Sequence, residues 1–448
     1  MTDTTPTWTA DDPGVLSSAA GTPVATLPAP DLGPDGADDT AAITAKYGSP
    51  KRTVALVLIA AVGGYLMMLT LATALSLRIA LIDPEGKEAV YSRIVSVAAL
   101  LMLVAIPLVG ALSDRTTSRF GRRRPWIVAG LVVSLACFAL IGMSTSFLVI
   151  GIAYVVGITA AQAGFNAYAV IPVEGIPDRM RARVMGLMGL FGALAMSGGS
   201  FLAGALVSMP VLLMTVPILA ATVTMLPLLL MYRDPVRDKA DVPALDVVGL
   251  AKTFFVDPRK HPDFGWTWLS RFLAGAAMTA MLGYFIYFLM SGLHVPIEEV
   301  GAKAGLLTLA SAPISILFFT GSGWLSDKDG RRKPFVAASA VLMAIALVVG
   351  GTATSFTQFL VAWLIFAMGQ AMYLTVDLAL CASVLPNQAD AGKDMAVFGL
   401  ALNLPGVLVP AVAPLLLGAS ANYVLFWGFA AVLCLAGAAV VPMIKGVR

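Results

Sequence analysis

From Thr53 onward the chain alternates between long apolar runs and short polar connections. The runs fall at 53–79, 94–112, 126–146, 147–171, 184–208 and 209–232, then at 264–292, 300–325, 335–354, 356–385, 394–418 and 421–444. Each is near the ~20 residues that cross a hydrocarbon core. Backbone groups in lipid must find partners within their own segment, so runs of this length predict helices. The pattern predicts an all-α integral membrane protein with twelve transmembrane helices. Ahead of them, residues 1–45 hold seven Asp and neither Lys nor Arg. Such a stretch buries too little apolar surface to offset its ordering entropy. Residues 1–50 are therefore read as a disordered acidic tail, with no cleavable signal peptide.

Basic residues set the orientation. Loops after even-numbered spans carry Arg115, Arg119, Arg122, Arg123 and Arg124, then Arg179, Arg181 and Arg183, then Lys328, Arg331, Arg332 and Lys333. Loops after odd-numbered spans have only Arg78, Lys87, Arg93 and Lys303. Positive loops favour the cytoplasm, which places both termini there, in a multi-pass protein of the cytoplasmic (inner) membrane. The longest internal connection, 233–263, splits the chain into six-helix bundles at 51–232 and 264–448. Within it, residues 242–255 mix apolar and charged positions, as either a surface helix or an unstructured linker would.

Composition narrows the function. The 448 residues are 58% hydrophobic and 12% charged, with a mean hydropathy of +0.87. Soluble domains average about 25% charged residues, so a water-soluble enzyme is excluded. A net charge of +3 calls for no nucleic-acid partner. Cys137, Cys381 and Cys434 all lie inside apolar runs and form no disulfide framework. His261 and His294 are too far apart in sequence to suggest a zinc site. No GxxxxGK[ST] loop supplies a nucleotide-driven motor, and no nucleophile–base pair, metal cluster or cofactor motif marks an enzyme. No cofactor is expected.

The two halves repeat. Gly110-Ala-Leu-Ser-Asp114 with Gly121-Arg-Arg-Arg-Pro125 matches Gly323-Trp-Leu-Ser-Asp327 with Gly330-Arg-Arg-Lys-Pro334, the aspartates being 213 positions apart. Pro172 and Pro386 are 214 apart, as are Gly204 and Gly418. Parallel repeats of six helices, each with a marked second-to-third loop, point to a transporter.

These loops resemble the signature of the major facilitator superfamily, over residues 53–445. The longer first copy, Ser113-Asp-Arg-Thr-Thr-Ser-Arg-Phe-Gly-Arg-Arg-Arg-Pro125, is similar to that of sucrose transporters and the glycoside–pentoside–hexuronide branch, as is the stretch 166–172. The resemblance implies twelve helices in two bundles around a central cavity. It also implies a cytoplasmic gating role for Asp114, Arg115, Gly121, Arg122, Asp327, Gly330 and Arg331. A carboxylate at a helix end can accept charge-assisted bonds from arginine or from a neighbouring helix N-terminus. Such a cluster can latch helix ends in one state and release them in another. The plainer reading is that the arginines, Arg123, Arg124, Arg332 and Lys333 above all, only fix topology.

Two charged residues lie well inside spans, away from their ends: Arg271 in the seventh and Asp377 in the tenth. Such residues are functional candidates by default. Each is about eight residues from the cytoplasmic end of its helix, hence ~12 Å deep at 1.5 Å per residue. They can pair directly, since the resemblance implies that spans one, four, seven and ten line the cavity. Alternatively, Arg271 snorkels to the interface. Gln370, Tyr373 and Asp377 share one helix face, as do Thr159, Gln162 and Asn166 in span four. These stripes suit either a hydroxyl-rich ligand or hydrogen bonding between helices. Tyr284 and Tyr287 point away from Arg271, so both sets line the cavity only if the helix breaks, as near Gly283. Span eleven holds Asn403 with Pro405, Pro410 and Pro414, which permit bending. The six glycines of span five, at 186, 189, 192, 198, 199 and 204, read as close helix packing.

Relatives of the sugar-symporter kind place carboxylates in the first half, whereas spans one, two, four and five here hold none. Gln162 and Ala163 occupy the region matching Asp377. Sodium coupling through those acids is thus set aside, and a proton would use Asp377, or Glu174 at the cytoplasmic edge. Met196-Ser-Gly-Gly199 lacks the proline of the drug-antiporter element. The expected function is alternating-access, proton-coupled transport of a sugar or glycoside by a monomer in the lipid bilayer. The alternatives are proton-driven export of a small amphipathic metabolite or drug and, from another class, a non-transporting membrane receptor or scaffold.

Overall fold

The computed structural model describes residues 40–236, 261–329, 332–384, 391–418 and 420–445. Residues 1–39 of the expected tail, the 237–260 part of the central linker, and Gly330 and Arg331 of the second basic loop lie outside the described residues, as does the Asp327 side chain. The described chain is helical. A short α1 (Thr40–Tyr47) leads into α2 (Pro50–Ile82), α3 (Lys87–Asp114), α4 (Arg124–Met143), α5 (Phe147–Gly175), α6 (Asp178–Ala205) and α7 (Pro210–Met231), which are spans one to six. The second half is α8 (Pro262–Tyr287), α9 (Ile297–Asp329), α10 (Lys333–Gly351), α11 (Phe356–Ser383), α12 (Ala391–Asn403), α13 (Pro405–Leu417) and α14 (Tyr423–Val440). Among them are twelve segments long and apolar enough to cross a membrane, with α12 and α13 together making span eleven.

Local chemistry sets many of the boundaries. Proline occupies the first turn of α2, α4, α7, α8 and α10, where its missing N–H would have no helical partner. Helix α8 runs unbroken through Gly283 and ends in a π turn at Phe288–Gly292. The break considered near Gly283 is therefore absent, and Tyr284 and Tyr287 are fully buried. Span eleven is interrupted at Leu404, next to Pro405, whose ring cannot continue the backbone ladder.

Three expectations need correction. The tail does not run to residue 50: Thr40–Tyr47 is helical, and the Tyr47 ring stacks on Tyr232 at 6.2 Å. Arg78 is no loop residue. It lies inside α2, and its guanidinium donates to the Ile141 (3.3 Å) and Ser144 (2.7 Å) carbonyls at the end of α4, satisfying acceptors that the helix cannot. Span two begins at Lys87 rather than 94, so Glu88 stands in its first turn and the span does contain an acid. A carboxylate suits that turn, because the helix dipole is positive there.

Each half repeats one packing scheme, with α4 on α5 and α10 on α11 as equivalent pairs. Between the halves, α6 lies along α9, and α3 along α13. The α6–α9 contact is a glycine crossing. A Cβ at Gly204 would stand 2.8 Å from the Gly301 Cα, and one at Gly301 would come closer still to Gly204. Ser197 of α6 donates to the Gly305 carbonyl of α9 at 2.8 Å. Further hydrogen bonds join the halves from Tyr284 to Ser92, from Tyr287 to the Ser76 carbonyl, and from Ser291 and Tyr423 to Glu88. All of these lie at the end of the bundle away from the arginine loops. Of the span-five glycines, Gly192, Gly199 and Gly204 meet neighbours, whereas Gly186, Gly189 and Gly198 face open space.

The crossing gives a paired prediction. Gly301→Ala should cost about 1–3 kcal/mol by overpacking, read as a lower thermal unfolding midpoint in detergent. Gly198→Ala should be neutral or stabilising, because helix propensity favours alanine by up to ~1 kcal/mol.

Candidate functional site

The buried charge centre forms where α8 and α11 meet near the basic end. Arg271 and Asp377 are 8% and 2% exposed, and Nη1 of Arg271 stands 2.6 Å from Oδ2 of Asp377. Snorkelling is thereby overturned for Arg271: its guanidinium is turned into the protein. The same Nη1 lies 3.0 Å from the Cys381 Sγ, one turn beyond Asp377 on α11. Tyr373, one turn before Asp377, is buried, and its hydroxyl has no hydrogen-bond partner among the described residues. Phe264, Val397 and Phe398 pack with Cys381 to close the centre on one side. The Arg271 Nε is buried without a hydrogen-bond partner among the described residues. A guanidinium can supply five donors, so the centre holds donor capacity beyond the bonds made by the described residues.

Other candidates lie apart from this centre. Gln370 is half-buried, one turn before Tyr373. Asn403 is occupied by its own helix, donating from Nδ2 to the Gly399 carbonyl at 3.0 Å. On α5, Gln162 is buried and Asn166 half-buried, and no hydrogen bond between described residues links either to Asp377. The expected common face of span four is divided. Thr159 donates to the Val155 carbonyl, and together with Ala163 it lines an open apolar groove between α3, α4 and α5, edged by the exposed Leu101, Val104 and Val133.

The first basic loop is a second polar centre, built within the first half. Arg123 joins Asp114 at 2.8 Å and Glu174 at 3.0 Å, and donates to the Ser113 hydroxyl at 3.0 Å. Arg122 pairs with Glu174 as well. Burial works against the Arg122 charge, but Glu174 outweighs it and holds the guanidinium above its ordinary value. Asp234, just after α7, accepts from the backbone N–H of Arg123 (2.7 Å) and Arg124 (3.0 Å), capping α4. The Arg124 guanidinium donates to the Tyr232 carbonyl. Gly121 is required on two counts: its φ is +100°, and a Cβ there would collide with Asp234. Arg115 donates to the Ala111 carbonyl of its own helix at 2.9 Å.

Reading the sequence therefore missed Cys381, which looks like one more apolar residue, and Asp234, which sits among linker residues. It also ranked Arg123 as a topology residue, whereas Arg123 joins two carboxylates from different helices. Its place between Asp114 and the α4 N-terminus was the available signal.

A membrane-embedded pair of six-helix halves with repeated basic loops defines a multi-pass membrane transporter. The chain belongs to the Major Facilitator Superfamily, whose family pattern matches residues 54–328 and 267–445. Among solved structures, a point mutant of the nucleoside transporter NupG is similar with a TM-score of 0.70 at 12% identity, over 88% of this chain and all of that one. A bacterial homologue of the human lysosomal transporter Spinster, inward-facing and occupied, gives 0.66 at 15% identity, over 89% and 98%. A D-xylose-proton symporter gives 0.62 at 17% identity, over 88% and 97%. At these identities the likeness is one of fold.

The charge centre predicts strong coupling between its partners. Removing one partner of a buried pair typically costs 3–5 kcal/mol, because the other charge is left unpaired. Arg271→Met and Asp377→Leu should each destabilise by about that amount, and the double variant by less than the sum. A double-mutant cycle of chemical unfolding measures this.

Proposed function

We propose that the chain is a proton-coupled transporter of a sugar or glycoside, working by alternating access in the cytoplasmic membrane as a monomer. The Arg271–Asp377 pair carries this reading: a carboxylate and a guanidinium, both buried at span depth, with an arginine donor left over. A proton arriving on Asp377 removes the negative charge that holds Arg271. The freed guanidinium can then turn to the hydroxyls or ring oxygen of a ligand, with Tyr373 and Gln370 on the same face of α11. Loss of the proton restores the pair and expels the ligand. Gln162, Asn166 and Asn403 supply the remaining polar contacts in this reading.

The basic loops face the cytoplasm by the positive-inside rule, and both termini follow them. Residues 51–232 and 264–448 then move as two bodies joined by 233–263. The Asp114–Arg123–Glu174 network braces the cytoplasmic face of the first, and the repeated sequence with Asp327, Gly330 and Arg331 gives the second the same motif. The first basic loop, similar to that of sucrose transporters, favours a glycosidic substrate. Two proteins of similar fold carry a nucleoside and D-xylose, both built on a pentose, which supports the same substrate class.

Uptake into proteoliposomes tests the proposal. A labelled panel of disaccharides, pentoses and nucleosides is offered with and without an imposed pH gradient. At least one sugar should accumulate at tenfold or more over the control without a gradient, since one pH unit of coupled gradient corresponds to about tenfold. Asp377→Asn should abolish accumulation while leaving exchange. If folded protein takes up no member of the panel, the sugar assignment fails.

A further inference from the structure

The hydrogen bonds that hold the halves together converge on a residue outside the charge centre. Glu88, in the first turn of α3, is 8% exposed, and its Oε1 accepts two hydrogen bonds and faces one ammonium. Ser291, in the π turn after α8, donates at 2.6 Å. Tyr423, at the start of α14, donates at 3.4 Å. Lys87 Nζ lies 3.6 Å away. Next to it, the Ser92 hydroxyl donates to the Glu88 carbonyl at 2.6 Å and lies 2.6 Å from the Tyr284 hydroxyl. A serine has one proton, so Tyr284 is the donor in that second contact.

Around Glu88 and its neighbours the direction of donation is uniform, whereas Ser197 of α6 donates the other way, to Gly305. Ser291, Tyr423, Tyr284 and Tyr287 of the second half all donate, and Glu88, Ser92 and the Ser76 carbonyl of the first half accept. Two hydroxyl donors and an ammonium thus face one carboxyl oxygen of Glu88. Beneath this layer the Tyr91 ring meets Tyr284 and Tyr287 edge-on, at 5.9 and 5.1 Å.

We propose that Glu88 is the latch of the end opposite the basic loops, a positioning residue that sets how often that end is closed. The inference rests on the alternating-access reading above. Two features suit Glu88 to the role. Its partners across the interface are neutral hydroxyls, so opening exposes one carboxylate to water and leaves no charge unpaired in the protein. Within its own half it keeps Lys87, so the open state also holds it in place. Hydrogen bonds to a charged acceptor are roughly twice as strong as neutral ones, which makes the carboxylate, rather than its hydroxyl partners, the group that controls the balance.

The test needs no substrate. Spin labels are placed at the exposed Thr145 and Thr354, on opposite halves at the closed end, as Thr145→Cys and Thr354→Cys in a Cys137→Ser background. A second pair, Phe120→Cys and Lys328→Cys, reports the basic end. Distances are measured by double electron–electron resonance on full-length protein in nanodiscs. Glu88→Ala should raise the open-to-closed ratio at the first pair about tenfold, with the opposite change at the second pair. Glu88→Gln, which keeps a carbonyl acceptor, should fall between it and the parent. Ser291→Ala and Tyr423→Phe leave Glu88 intact and should move the ratio the same way by less, which secures the test if Glu88→Ala does not fold. If the parent shows two distance populations that none of the variants shifts, the latch is overturned and alternating access stands. A single population unmoved by any variant overturns both.

Discussion

A charge in the hydrocarbon core must be paired or turned toward a polar carbonyl, and this requirement places most of the polar chemistry of the chain. Arg78 lies inside α2 only because the last carbonyls of α4 need donors. Arg271 is buried in α8 because α11 presents Asp377 at the same depth. Arg123 sits at the mouth of α4 between two carboxylates that reach it from α3 and α5. Each pairing also fixes a helix: the first ties span one to span three, the second span seven to span ten, and the third spans two, three and four.

The charge centre differs from the other two in its acceptor: Asp377 is 2% exposed, whereas the Asp114 and Glu174 side chains that hold Arg123 are 44% and 16% exposed. Arg78 and Arg123 tie helices of the first half together. Arg271 shares one nitrogen between Asp377 and Cys381, and its Nε, like that of Arg123, is buried without a partner among the described residues. A buried ion pair is weak as a stabilising device, since desolvation offsets most of its Coulomb attraction. Its retention inside a span therefore makes it a candidate for function rather than a source of stability.

The fold was legible because hydropathy and length determine it almost alone in a membrane: twelve apolar runs became the twelve spans, with ends shifted by a few residues. Arg271 and Asp377 were legible for the same reason, as lone charges in apolar runs. Glu88 was not. It lies in Asp83-Pro-Glu-Gly-Lys-Glu88, a stretch that reads as a loop, whereas α3 starts at Lys87 behind a Gly86 cap. The Asp114–Arg123–Glu174 arrangement was half legible: the loop motif marked the neighbourhood, but adjacent arginines cannot be ranked from spacing. Thr159 was assigned to a polar face because its stripe obeyed helical spacing. The hydroxyl instead satisfies its own helix, as threonine in a membrane helix commonly does.

The distribution of bond types between and within the halves has its own logic. The ion pairs between described residues each lie inside one half. Among the described residues, the contacts across the interface are hydroxyl hydrogen bonds, edge-on rings, a glycine crossing and the packing of α3 on α13. Breaking an ion pair in a low-dielectric setting strands two charges, so interactions of that sort suit parts that stay together. Hydroxyls exchange one partner for water at little net cost, so they suit a seam that opens and closes. A glycine crossing adds close approach without interlocking side chains, which lets α6 and α9 separate without repacking. The strong contacts define the bodies, and the exchangeable ones define where they part.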